Sequence, residues 1–156
     1  MPMTEEERSV IARAFQGAMP AIEAMFRTYC GKAGAPERFS IEVFDATDAG
    51  HGDVVKPGER AIAVHPIKTT DWGDRNFTDN GRRKARAALR TGRDTGELVR
   101  NARELFQEGD MTSPGACLGD VNGKQICVAT SGLRGTEDEP FALLTIELIK
   151  RLVPAA

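Results

Sequence analysis

The stretch from Ala116 to Ala129 reads as strand, two-residue turn and strand, and it runs through Ser131-Gly132-Leu133-Arg134-Gly135 into an amphipathic helix. The turn is Asn122-Gly123, whose tolerance of positive φ suits a type I′ hairpin. Gln125-Ile126-Cys127-Val128-Ala129 forms the returning strand, and Gly132 and Gly135 let the backbone bend into the next element. Thr136 serves as helix cap, Glu139 three residues on completes a capping box, and Glu137 and Asp138 favour the positive end of the helix dipole. A turn this short permits only antiparallel pairing, because parallel strands need a long crossover.

The rest of the chain supplies partners for this unit. Thr4 and Glu7 make a capping box ahead of Val10, Ile11, Ala14, Phe15, Ala18, Ile22, Met25 and Phe26, whose spacing predicts a long first helix ending near Gly31, kinked or divided at Pro20. Phe39-Ser40-Ile41-Glu42-Val43-Phe44-Asp45 alternates as a strand with Phe39, Ile41 and Val43 on one face. After the turn-rich Asp48-Ala49-Gly50-His51-Gly52-Asp53, a second strand covers Ala61 to His65 and stops at Pro66. Asp79 or Asn80 caps a middle helix through Arg90, and Thr95 opens another from about Glu97 to Gln107. Phe141, Leu144, Ile146, Leu148, Ile149 and Leu152 carry the last helix. The order α, β, β, α, α, β, β, α defines an α+β fold, a mainly antiparallel sheet flanked by helices.

At 156 residues, residues 1–156 are expected to form a single domain. Hydrophobic residues at 40% and charged residues at 28% exclude a disordered or fibrous chain. The opening Met1-Pro2-Met3-Thr4-Glu5-Glu6-Glu7 is acidic with no apolar run behind it, and no unbroken apolar stretch has the length of a membrane helix, so a cytoplasmic protein with no membrane partner is expected. Cys30, Cys117 and Cys127 have no CxxC spacing and read as buried thiols, although Cys117 and Cys127 can face each other across the hairpin.

Three segments resemble one family. Ile41-Glu42-Val43-Phe44-Asp45-Ala46 is similar to the "VVDA" first strand of the GlcG/HbpS-like haem-binding family. Gly81-Arg82-Arg83-Lys84-Ala85 through Thr95-Gly96-Glu97-Leu98 is similar to its "K-A … T-G-E-L" segment. The Pro-Gly turn, the hairpin, Ser131-Gly132 and then Asp138-Glu139 and Ala142 resemble its "PGG … VSG … DE-x-x-A" ending. The chain departs from the pattern at Ile126-Cys127-Val128-Ala129-Thr130 and in the polar connection from Thr47 to Arg60. The resemblance implies a profilin-like fold, homo-oligomers and, in some members, bound haem or a related tetrapyrrole.

His51 and His65 are the only imidazoles, and haem iron takes such an axial donor or a Cys, Met or Tyr. His51 sits between glycines in a loop and His65 closes a strand, so both are candidate axial ligands, each with an ordinary reading as solvated or hydrogen-bonded. Arg82, Arg86, Arg90 and Arg93 fall on one helical face with Arg83 beside them, a surface able to grip a small anionic ligand or to be balanced by neighbouring acids. One Tyr, one Trp and a pI near 5.8 leave little for nucleic acid. Asp45, Asp48 and Asp53 lack the EF-hand's Gly and Glu and read as turn formers. Asp138 and Glu139 are the candidate acid–base pair, with capping as their structural alternative.

These residues frame three functions. The first is a small-ligand-binding protein with a pocket from His65, Arg82, Arg83, Arg86 and Ser131, taking haem by family resemblance. The second is an enzyme on a small carboxylated metabolite, using Asp138, Glu139 or His65. The third is a non-catalytic assembly module that buries Leu133 and Phe141 between subunits.

Overall fold

The computed structural model describes residues 1–52 and 56–155. Asp53, one of the three aspartates read as turn formers, lies outside the described residues. Along the chain run α1 (Glu5–Ala33), β1 (Phe39–Asp45), α2 (Pro57–Arg60), β2 (Ala61–Ile67), α3 (Phe77–Thr91), α4 (Thr95–Asn101), a 3-10 turn (Arg103–Leu105), β3 (Ala116–Val121), β4 (Lys124–Ser131) and α5 (Gly135–Leu152). The strands form one antiparallel sheet in the order β2-β1-β4-β3. The α+β expectation holds, with the one-turn α2 added between the first two strands.

Register assigns the two faces. Phe39, Ile41 and Val43 pair with Ile67, His65 and Ala63 on one side and with Val128 and Thr130 on the other. That face packs on α1 and α5 and holds the larger core, including Phe15, Ile22, Phe26, Phe39, Ile126 and Ile149. Phe26 stacks on Phe39 at 4.5 Å between ring centres, and Phe141 meets both edge-on. The opposite face carries Phe44, Cys127 and Ala129, which pack with Ala85, Ala88 and Leu89 of α3. β1 is therefore buried on both sides along its whole length.

Local chemistry accounts for most boundaries. Thr4 and Glu7 form the expected capping box, and Gly34 in the left-handed region ends α1. The β3–β4 turn is built as expected, with positive φ at both Asn122 and Gly123. Pro20 does not divide α1, which is one helix. Pro20 and Gln16, whose carbonyl loses its partner, are both exposed, while Phe15, Ala18, Met19 and Ile22 are buried on the side facing the sheet. Packing outweighs the one lost hydrogen bond.

Five further expectations are corrected. β2 continues through Pro66 to Ile67 because it is an edge strand, where a missing N–H is tolerated. Asn76, not Asp79 or Asn80, caps α3 by accepting the Asp79 N–H at 2.9 Å. α4 ends at Asn101 and gives way to the 3-10 turn rather than continuing to Gln107. α5 begins at Gly135 with Arg134 as its cap residue and no side-chain cap, so the Thr136–Glu139 box is absent. Cys117 and Cys127 point to opposite faces, since Cys127 pairs with Leu118 and Cys117 with Val128; both are buried, which pushes their thiols up.

Candidate functional site

Among the described residues, the most enclosed ion pair, Lys84 with Asp138, lies where α3, β4 and α5 meet. β4 runs past the start of β3, and over that corner Lys84 donates to the Thr130 carbonyl and to Asp138 Oδ2, both at 2.9 Å. Asp138 Oδ1 accepts the Leu133 N–H at 2.9 Å. The side chains are 2% and 1% exposed. Gly115 lies against the ammonium so closely that a Cβ there would stand 2.8 Å from Lys84 Nζ. Burial pushes the Asp138 carboxyl up to about 6, against the opposing pull of Lys84. That value lies in the range of an acid–base catalyst, but Lys84, Leu133 and Thr130 surround the group.

Glu139 turns the other way. Its carboxylate lies 3.6 Å from Arg100 and packs on Gly96 at the start of α4. The two acids thus belong to different contacts. This inward turn of both is also why neither caps α5.

The remaining residues singled out from the sequence are spread over both faces. His65 is on the α1 face, with Nε2 3.2 Å from Glu23, which also binds Arg27. Arg82 is on the α3 side, bidentate to buried Glu42 at 2.9 and 2.8 Å. Arg83 donates to the carbonyls of Gly109 and Asp110, and Arg86 and Arg90 both reach the Asp110 carboxylate. Arg93 stands 4.0 Å from Glu97. Ser131 is buried on the α3 face, paired in register with Ser40, whose hydroxyl meets that of Thr78 at 2.9 Å. His51 is exposed in the loop after β1. His65 and the arginines are separated by the sheet, so they do not line one pocket. The acids that neutralise Arg82, Arg86 and Arg90, namely Glu42 and Asp110, are far away in sequence and carry no local signal.

Concave surface lies instead along the outer side of the α1–α5 pair. A groove of about 370 Å³ is lined by Met25, Tyr29, Thr136, Glu137, Pro140, Phe141 and Leu144. Another of about 320 Å³ lies at the opposite end, between the start of α1, the β3–β4 turn and Val153-Pro154. In the first, Met25 and Tyr29 stand one helical turn apart, with Met25 50% exposed. Tyr29 donates its hydroxyl to Glu137, which raises its pKa, while the nearby Arg134 acts in the opposite sense. Sequence periodicity assigned Met25 to the core; the helix places it at the rim.

Among solved structures the chain is similar to HbpS, with a TM-score of 0.58 and 18% identity over 95% of this chain and 90% of that one. It is also similar to a double mutant of HbpS from Streptomyces reticuli, with a TM-score of 0.56 and 17% identity over 99% and 88%. A third likeness is to PduOC in its haem complex, with a TM-score of 0.54 and 13% identity over 95% of each. No protein-family model matches the sequence, and no curated protein does. At these identities the likeness is one of fold: the chain has the mixed α+β fold of HbpS, as its resemblance to the GlcG/HbpS-like proteins implies. No helix among the described residues is long and apolar enough to cross a membrane.

Proposed function

We propose that this chain is a ligand-binding protein of the cytoplasm that takes haem or a related tetrapyrrole in the groove between α1 and α5. Support comes from the fold shared with HbpS and with a haem complex of PduOC. The observation that carries the reading is the pair Met25 and Tyr29, two side chains of types that ligate haem iron, set one turn apart in an apolar groove. The Tyr29 hydroxyl is engaged by Glu137 and held in its neutral form, so the Met25 thioether is the axial donor of this proposal. Arg134 at the head of α5 is the cation for a propionate. Self-association belongs to the same proposal.

The test is an absorbance titration of the apoprotein with haemin, repeated with Met25→Ala, Tyr29→Phe, His51→Ala and His65→Ala. Saturable binding near one equivalent with its Soret band shifted or lost only in Met25→Ala is the expected result. Loss confined to His65→Ala moves the site to the β2 side of α1, and the absence of saturable binding removes the reading.

A further inference from the structure

Arg38, the residue before β1, is a half-buried cation without a counter-charge among the described residues. Its guanidinium carbon stands 5.4 Å from the centre of the Phe77 ring, at the start of α3. The Nε atom is buried and has no hydrogen-bond partner. The acids nearest in the chain are engaged elsewhere: Glu37 lies 3.4 Å from Arg27, and Glu42 is held bidentate by Arg82. Asp79, the acid in the first turn of α3, also acts on Arg82. A buried donor left unpaired costs about 1–3 kcal/mol, so a guanidinium kept in this state calls for an acceptor.

A second unpaired donor faces the same corner. β1 and β4 pair Ser40 with Ser131 on the α3 side of the sheet, where they are 2% and 4% exposed. Ser40 meets the Thr78 hydroxyl at 2.9 Å, which brings the first turn of α3 over the pair. The Ser131 hydroxyl has no hydrogen-bond partner among the described residues. Strand alternation sets Arg38 diagonally opposite Ser131, a position in which Cβ atoms are about 7–8 Å apart. The backbones touch there as well, since a Cβ on Gly132 would meet the Arg38 carbonyl. The N–H groups of Phe77 and Thr78, at the first two positions of α3, have no acceptor within the helix, and the Asn76 side chain caps Asp79 instead.

We infer that this corner binds the carboxylate group of a small monoanionic metabolite. A carboxylate set between the diagonal neighbours accepts from the guanidinium on one side and from the Ser131 hydroxyl on the other, and the positive end of α3 favours the same charge. One uncompensated guanidinium matches one negative charge and leaves a phosphate dianion half neutralised, which selects the carboxylate. Trp72, edge-on to Phe77 at 5.2 Å between ring centres, extends the aromatic surface beside the cation and gives the rest of the ligand an apolar wall. The site lies on the other face of the sheet from the α1–α5 groove and does not depend on the haem reading.

Proton–nitrogen correlation NMR near neutral pH tests it, with sodium acetate, sodium phosphate and sodium chloride titrated separately at matched ionic strength into wild type, Arg38→Gln and Ser131→Ala. Acetate is expected to shift the Arg38 Nε–H and the Phe77 and Thr78 amides saturably, and chloride is not. The affinity is expected to fall about tenfold in Ser131→Ala, and the saturable shift to vanish in Arg38→Gln. No saturable shift with acetate, equal saturation with chloride, or shifts that persist in Arg38→Gln overturn the site. Tighter binding of phosphate than of acetate overturns the carboxylate assignment. Should Arg38→Gln fail to fold, Ser131→Ala decides, and an acetate affinity unchanged from wild type overturns the proposal.

Discussion

Burial governs what Asp138 does with its proton. Unfolded, the carboxyl titrates at about 3.9; folded, it is pushed up to about 6. Between those values the native state holds a proton that the unfolded chain has released. The stabilisation is full below the unfolded value and is lost as pH rises through the folded one. A displacement of about two units corresponds to about 3 kcal/mol. Urea unfolding from about pH 4 to about pH 7 is expected to show wild type losing stability relative to Asp138→Asn by up to that amount. Lys84→Met leaves the carboxylate buried without its partner and is expected to cost about 3–5 kcal/mol, most of it recovered in the double variant with Asp138→Asn. Asp138 was legible as a charged group near the head of the last helix. Its partner was not, because Lys84 sits inside a run of arginines and only the tertiary corner over Gly115 selects it from its neighbours.

At the scale of elements, patterning was readable wherever one face is apolar and fixed by covalent geometry. The Asn122-Gly123 hairpin and the Thr4–Glu7 cap of α1 depend on contacts within a few residues, and both form as expected. Boundaries were less readable where a distant element competes. The expected box on α5 yields to contacts with Lys84 and Arg100, and α4 stops at Asn101, where Ala102 leaves the helical conformation ahead of the 3-10 turn. Pro20 shows the same competition from the other side, since local propensity would end α1 and core burial carries it through. Pro20→Ala restores a backbone donor on the exposed side of a helix that is already formed. It is expected to raise stability by about 1–3 kcal/mol, read as a higher urea midpoint at unchanged m-value.

The whole molecule is asymmetric about its sheet. On the α1–α5 side an aromatic cluster of Phe26, Phe39 and Phe141 backs a broad apolar core, while the α3 side rests largely on alanines and on ion pairs such as Arg82–Glu42 and Arg90–Asp110. The smaller core gives the α3–α4 side less free energy to lose on opening. Native-state hydrogen exchange is expected to find the amides of α3 and α4 exchanging through a partial opening in which those of β1, β4 and α1 remain protected. The fold class was legible because element order and turn chemistry limit how such strands can connect. The pairing of a site's parts was not, because period-two alternation shows that two residues share a face without showing which helix covers it. His65 and the arginines were separated for that reason.

The central pair of the sheet, β1 with β4, also has a kinetic consequence. Its register joins Glu42 to Ala129, whereas β1–β2 and β3–β4 each close through much shorter segments. The two outer pairs can collapse locally, but the seam between them must bring together strands from opposite halves of the chain, and closing that loop comes before most of the contacts that reward it. During synthesis β1 emerges before either of its strand neighbours, with β2 following soon after and β4 only once most of the chain has been made. Until residue 131 has followed, both apolar faces of the most buried strand in the protein depend on whatever holds a nascent chain out of aggregation.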